Sequence, residues 1–309
     1  MLVIGECVAD IVQGADGREH VHPGGSPANV AYGLARLGHP TDLLTQLGED
    51  RLGALLSAHL RSAGVRVRTD GAEGVRTPSA TVRLGGGQHG DGARYEFDIN
   101  WTLRPTPLPA TDHLHIGSIG AVLEPGATTV LAAAEELRQG ATVSYDPNVR
   151  PALMGRRADA VAHVERCVSL SDIVKASDED LAWLLPDEPP EEVAGRWAAL
   201  GPSLVLVTRG ARGSFAVPAR GDVLVDRHPH PVVVADTVGA GDAFMAGALH
   251  ALAAAGLLGA DRRAALAALG ERQLGDVLRV ASAAAAVTVT RPGANPPDEA
   301  ELAAALAEG

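Results

Sequence analysis

The sequence has 309 residues, of which 46% are hydrophobic, 21% charged and only 3% aromatic. That hydrophobic share excludes intrinsic disorder as the main state, and abundant Ala, Leu and Val favour helices packed on short apolar strands over a β-sandwich or barrel. A formal charge of −12, from 38 acidic against 26 basic residues, argues against a general affinity for nucleic acid or an anionic membrane, though a local pocket can still take an anionic ligand.

The chain opens on Leu2-Val3-Ile4, which meets Glu6 within six residues and reads as a strand, not a signal peptide. Further strand-like runs stand at 41–46, 113–116, 142–145, 173–175 and 204–208. Helical windows alternate with them at 29–37, 52–63, 127–137, 158–169, 178–184 and 191–200, each bounded by Gly, Pro or Asp. Such alternation predicts a mostly parallel sheet with helices on both faces. Two polar, Gly-rich stretches, 11–23 and 78–101, lack a helical period and are read as excursions pairing into a small β-flap. The second turns at Gln88-His-Gly-Asp-Gly92. From Asp236 onward the pattern is helical, with windows at 241–255 and 266–278 and a small-residue helix at 281–286 that lets neighbours pack closely.

Residues 1–309 thus read as a single α/β domain with a lid from the two excursions. No apolar run reaches 18 residues, so no membrane span is expected. Two cysteines, Cys7 and Cys167, are too few for a disulfide framework, which points to a reduced, cytoplasmic setting. Lys175 is the only lysine and no glycine precedes it, so a Walker-type phosphate loop is absent.

The most informative segment is Asp236-Thr-Val-Gly-Ala-Gly-Asp-Ala-Phe. Gly239 and Gly241 let the backbone approach a ligand, and Phe244, Ala248, Ala251, Leu252 and Ala255 then follow at helical spacing. The free N–H groups of that helix start form an anion hole. Asp242 inside it suits a proton acceptor beside a phosphoryl group in transfer, while spacing alone equally allows a simple helix cap. Gly24–Asn29 leads into a helix with Val30, Leu34 and Leu37 on one face, and Asn29 is either a polyol ligand or an N-cap. Asp146-Pro-Asn-Val-Arg150 lies at the C-terminal edge of a strand, where open α/β sheets bind ligands; Arg150 either grips phosphate or is solvated. Tyr95 and Phe97 alternate on one strand face, as a lid wall or as the flap's own minor core. His113 and His115 would share a strand face and His228 and His230 form a second such pair, but no third metal ligand is evident nearby.

These motifs, in this order, resemble the ribokinase-like (PfkB) family of carbohydrate kinases. Its two signatures are matched by Gly24-Gly-Ser-Pro-Ala-Asn-Val-Ala31 and Asp236-Thr-Val-Gly-Ala-Gly-Asp242. Between them stand Gly5-Glu6 with Asp10, Asp146-Pro-Asn148 with Arg150, and Thr208-Arg-Gly210 with Gly213, so the match spans 1–295. Within the family the chain is most similar to the fructokinase branch. The resemblance implies a ribokinase-like three-layer sandwich with a central mostly parallel sheet and a small β-flap lid. It implies an ATP-dependent sugar kinase that moves the γ-phosphoryl group to a hydroxyl of a small sugar, fructose-like preferred. Alternatives are 2-keto-3-deoxygluconate kinase, ribokinase or nucleoside kinase, and, from another class, a non-catalytic sugar- or nucleotide-binding module. A dinucleotide oxidoreductase is disfavoured because no GxGxxG follows the first strand.

By the same resemblance Asp242 is the general base, and Gly239, Ala240 and Gly241 the anion hole, with Arg150 on phosphate. Asp10, Gly25 and Asn29 hold sugar hydroxyls under Tyr95 and Phe97. Lys175, Ser177, Thr208, Gly210, Gly213 and Gly241 line the nucleotide, and Asp180 supports magnesium. Ser177 stands where the family usually has Asn, and Asp180 where it has Glu. ATP and Mg2+ are the implied cofactors, with a monovalent cation such as K+ near Asp236 and the 290–294 loop. The implied partners are the sugar and a second copy of the chain, paired through the lids; no nucleic acid or membrane partner is expected.

Overall fold

The computed structural model describes residues 1–14, 18–69, 74–83, 94–219, 225–227 and 232–308; for 82, 83, 94, 95 and 225–227 the description is of the backbone. The first apolar run forms β1 (Leu2–Ile4). The chain then leaves for a hairpin, β2 (Val8–Gln13) and β3 (Glu19–Gly24), and returns through α1 (Ser26–Arg36), β4 (Asp42–Thr45), α2 (Arg51–Ser62) and β5 (Arg66–Thr69). A second excursion, β6 (Ser79–Arg83) and β7 (Arg94–Asp98), precedes β8 (His113–Gly117), α3 (Gly126–Leu137), β9 (Thr142–Asp146) and α4 (Arg157–Leu170). Then come β10 (Ile173–Ser177), α5 (Asp178–Leu184), α6 (Pro190–Ala198), β11 (Leu204–Thr208), β12 (Ser214–Pro218) and β13 (Val225–Arg227). Helices close the chain: α7 (Ala240–Ala254), α8 (Arg263–Ala267), α9 (Glu271–Val289) and α10 (Glu299–Glu308).

The main sheet runs β13-β12-β11-β10-β9-β8-β1-β4-β5, parallel from β5 to β11 and antiparallel for the last two strands. The two-residue period of a strand divides its side chains between two apolar layers. Val3, Leu204 and Leu206 pack with residues of α1, α7 and α9. Leu2, Ile4, Val205 and Val207 pack with residues of α3, α4 and α6 on the other face. This is the three-layer arrangement that the alternating pattern predicts. Among the described residues no helix is long and apolar enough to cross a membrane.

The two excursions pair as a second sheet of order β3-β2-β6-β7, with β2 and β6 parallel at its centre. Its strands start earlier than expected, at Val8, and its second half ends at Asp98. Trp101 therefore lies outside the flap: it is buried in the α3 layer, lies where Gly126 has no side chain, and donates from Nε1 to Gly120 O at 2.8 Å. Both ends of the second excursion are tied to the loop after β4. Gln46 bonds Asn100 O at 2.5 Å and Thr102 N at 2.8 Å, and Asp50 accepts from Thr77 N at 2.9 Å.

Three strands escape the sequence reading: β5 and β13 are short edge strands, and β12 carries a proline. The 266–278 window is cut by Gly270, the cap of α9. Small residues do draw helices together, since a Cβ on Gly247 of α7 would stand 2.9 Å from the Ala284 methyl and 3.0 Å from Ala281 Cα of α9. The turn expected at 88–92 and the His228/His230 pair lie outside the described residues.

Candidate active site

The turn that starts α7 is set by two contacts. Asp236 accepts the N–H groups of Val238 at 3.1 Å and Gly293 at 2.8 Å, and these donors, Gly293 first, hold its carboxyl below the usual range. Gly239 then takes φ +75°, and a Cβ there would be 2.5 Å from the Ala294 methyl, so only glycine fits. The turn thus brings Asp236 against the 290–294 loop and leaves residues 240–242 as the first turn of α7. Within it Ala240 N–H donates to Thr237 O at 3.2 Å. Asp242 is 7% exposed and lines the cleft.

Asp242 is where the two glycine-rich segments meet. Its Oδ1 accepts from Ser26 Oγ at 2.6 Å and its Oδ2 from Asn29 Nδ2 at 2.8 Å. Both donors come from the first turn of α1, whose cap, Gly25, adopts φ +96° and has no room for a side chain, which would strike Glu6 O. Each carboxylate oxygen keeps a further lone pair, so a hydroxyl entering the cleft can still be accepted. Ser26 is a site residue that the sequence reading left without a role, although it stands inside the quoted signature.

Asp146, fully buried at the end of β9, pairs with Lys175 Nζ at 2.9 Å. Burial pushes the Asp146 carboxyl up to about 6, against the pull of Lys175. Burial works to depress the lysine too, but Asp146, Asp180 and Asp242 outweigh it and hold the ammonium above its ordinary value, so both partners are charged at neutral pH. The ammonium abuts the α7 tip: a Cβ on Gly241 would be 2.8 Å from Nζ. Asn148, at φ +35°, donates its N–H to Asp146 Oδ1 at 3.1 Å. Arg150 lines the cleft and curls back, donating to Asn148 Oδ1 at 2.7 Å and Val149 O at 3.1 Å.

Asp180 forms the capping box of α5. Its Oδ2 accepts from Ser177 N at 2.8 Å, while its own N–H donates to Ser177 Oγ at 3.0 Å. Its Oδ1 accepts from Val149 N at 2.7 Å, which ties α5 to the loop after β9. Ser177 and Asp180 therefore cap α5, with both Asp180 oxygens engaged by protein donors. Among the described residues no group of three or more His, Cys, Asp or Glu is placed to hold a metal ion. Asp178 and Glu179 line the same wall of the cleft, Asp178 paired with Arg212.

The cleft, about 880 Å³, runs between the two sheets. At one end stand Glu6, Asp10, Gly25, Asn29 and Arg150 under Phe97 and Ile99. Burial raises Asp10 to about 6, opposed by Arg150 and His22; its carboxylate lies over Gly24, where a side chain would displace it. Glu6 accepts from Gly120 N at 2.8 Å and is pushed up to about 7, mainly by burial. The sequence reading quoted Glu6 as a landmark and gave it no role. Of the two lid aromatics, Phe97 is 37% exposed and lines the cleft, whereas the Tyr95 side chain lies outside the described residues. Lys175, Ser177, Thr208, Gly210 and Gly213 also line the cleft, as do the apolar Val232, Val234, Ala286 and Val289.

The family model described as "pfkB family carbohydrate kinase" matches residues 1–301. The chain is 38% identical over 278 residues to a fructokinase of Klebsiella pneumoniae, covering 86% of this chain and 87% of that one. It is 34% identical over 269 residues to a fructokinase of Salmonella typhimurium, covering 82% and 85%. Among solved structures, Xylella fastidiosa fructokinase with bound ATP superimposes with a TM-score of 0.84 at 25% identity, over 100% of this chain and 98% of that chain. A Vibrio cholerae O395 fructokinase double mutant, in a fructose-, ADP- and potassium-bound form, gives 0.82 at 28% identity, over 99% and 98%.

Proposed function

The chain belongs to the pfkB family of carbohydrate kinases and is an ATP-dependent sugar phosphotransferase; from that premise we propose that its acceptor is fructose or a closely similar neutral sugar. The single observation that carries the reading is Asp242, on the cleft wall at the tip of α7 and bonded to the first turn of α1. Asp242 takes the proton of the sugar hydroxyl as that oxygen bonds to the γ-phosphorus of ATP and the bond to the ADP oxygen breaks. The transition state is loose, so the carboxylate accepts the proton late and need not be strongly basic. The N–H groups at Gly239, Ala240 and Gly241, with the Lys175 ammonium beside them, hold the charge on the transferred group. For Ala240 this requires release of its bond to Thr237 O.

Asp10, Gly25 and Asn29 position the sugar, and Arg150 turns from Asn148 to the phosphates. Fructose is favoured over a sugar acid such as 2-keto-3-deoxygluconate because Asp10 and Asp242 both line the cleft, and a substrate carboxylate between them would face two acids against Arg150. Phe97 roofs the sugar and keeps water from ATP. Ser177, Thr208, Gly210, Gly213 and Gly241 line the nucleotide. Mg2+ would enter with ATP and neutralise phosphate charge. Its ligands would be phosphate oxygens and water, with the acids of 178–180 as outer support, because the Asp180 oxygens are already engaged. The turn joining Asp236 to the 290–294 loop is the candidate place for K+. The whole chain would act as one catalytic body with a lid, and pair with a second copy through the lids.

The test is sugar-dependent ADP release over a panel of fructose, 2-keto-3-deoxygluconate, ribose and a nucleoside. Fructose is expected to give the highest kcat/KM. A better sugar acid would overturn the acceptor assignment, and measurable binding without ADP release from any sugar would leave only a binding module.

A further inference from the structure

The loop that carries Arg150 begins where two strands part. β9 pairs with β10 as far as Tyr145 opposite Val174, whereas β10 stays beside β11 to Ser177 opposite Thr208. Past Asp146 the chain therefore has no strand on that side to take its backbone donors. Pro147 has none to offer, and the next two are met by carboxylates instead. Asn148 N–H donates to Asp146 Oδ1 at 3.1 Å and Val149 N–H to Asp180 Oδ1 at 2.7 Å. Asp146 stands at the root of the loop, two residues away, whereas Asp180 reaches it from α5. Asn148 holds φ +35°, in the left-handed region that side chains ordinarily avoid, and such a conformation persists only where its surroundings fix it.

Asp180 is 8% exposed, and its two oxygens serve two segments: Oδ1 takes Val149 N–H, and Oδ2 takes Ser177 N–H at 2.8 Å. Beyond Val149 stands Arg150, whose Nη1 donates to Asn148 Oδ1 at 2.7 Å, Asn148 O at 3.2 Å and Val149 O at 3.1 Å. Its Nε and Nη2, the edge that grips an anion in bidentate fashion, make no hydrogen bond among the described residues. One peptide group therefore joins the acid to the arginine. The unit between Asn148 and Val149 gives its N–H to Asp180 and receives Arg150 Nη1 on its oxygen. That unit is planar, so its two ends turn together, and a hydrogen bond at one end polarises the other.

We infer that Asp180 is a positioning residue for Arg150: through the peptide between Asn148 and Val149 it fixes the loop from which the guanidinium reaches phosphate. Outer support for a phosphate-bound metal then falls to Asp178 and Glu179, which line the cleft. The inference rests on the kinase reading for its kinetic consequence and on the loop's hydrogen bonds for its geometry, and each is measured separately. In residue-resolved amide hydrogen exchange, wild-type Val149 is expected to be protected. Asp180→Ala should speed its exchange about tenfold or more, while Val143 and Tyr145 of β9 keep their rates. A Val149 amide that exchanges freely in the wild type, or is unmoved in the variant, overturns the inference. In kinetics, Asp180→Ala is expected to lower kcat/KM for ATP about tenfold, with the half-saturating Mg2+ concentration moving less than about twofold. In an Arg150→Ala background the same substitution should cost less than about twofold. A raised magnesium requirement, or a loss undiminished in the Arg150→Ala enzyme, sinks the positioning role. Should Asp180→Ala not fold, Asp180→Asn, with one acceptor oxygen for two donors, carries the same kinetic comparison. If the wild type itself releases no sugar-dependent ADP, the kinase reading falls, while the exchange of Val149 still decides the tie to Asp180.

Discussion

On the floor of the cleft, Asp242, Asp146 and Lys175 are all under one-tenth exposed, and each is hydrogen-bonded to another element. On the roof, Phe97 stands 37% exposed on a four-stranded sheet, the second half of which is moored to the main body near Gln46 and Asp50. Floor groups are held by strand ends and helix tips covered on both sides, so their positions hardly depend on the ligand. Roof groups ride on a sheet with one face to the cleft, and their contacts depend on how that sheet sits. On the proposed function, chemistry belongs to the floor and selection to the roof: floor substitutions should act on kcat and roof substitutions on KM.

The largest effect expected is on the floor. Asp242→Asn keeps the size and most of the hydrogen bonding but cannot take a proton; kcat should fall about a thousandfold in steady-state ADP release, with sugar and ATP affinities by calorimetry nearly unchanged. A loss confined to KM would move Asp242 from chemistry to binding. Next comes Asp10→Ala at the junction of floor and roof, where the sugar KM should rise roughly 10- to 100-fold with little change in kcat. The same carboxylate predicts a pH signature. With Asp10 raised to about 6, kcat/KM for the sugar should fall by about tenfold per pH unit below that point, and the Ala variant should lack this limb.

Stability should respond to Glu6. Its folded pKa of about 7 lies above the unfolded value of 4.5, so the folded state binds more protons and Glu6 lowers stability as pH rises from about 4.5 to about 7. Relative to wild type, Glu6→Gln should flatten that part of the pH–stability curve by on the order of 3 kcal/mol in urea titrations. An unchanged slope would mean that Glu6 is not a buried acid in solution. The smallest effect is expected from the roof alone: Phe97→Ala should raise the sugar KM about threefold and increase ATP hydrolysis without sugar.

How far the sequence reaches differs between the same two regions. The strands at 2–4, 142–145 and 204–208 are continuous apolar runs because both their faces are covered, and the structure forms them within a residue or so. Edges read poorly. Arg66–Thr69 has polar residues and one half-buried valine, and Ser214–Pro218 hides behind Gly213 and a terminal proline. Trp101 falls within the 78–101 stretch read as flap but lies outside it, because its partners, Gly120 and Gly126, are contacts between segments that spacing cannot show. The site is similar. Gly239 and Asp242 announce a helix tip, but local spacing could not tell a cap from a base; the family resemblance supplied that role. Ser177 and Asp180, by contrast, form the very cap that their spacing allows. The convergence of Ser26 and Asn29 on Asp242 joins residues 216 and 213 positions apart and needed the fold.

One feature of composition acquires a use once its location is known. Lys175 is the sole side-chain amine in the chain, and its side chain is 4% exposed at the bottom of the cleft. An acylating reagent therefore has a single lysine to find, and the rate at which it is found becomes a clock for opening of the entrance, slowed by whatever molecule stands above it.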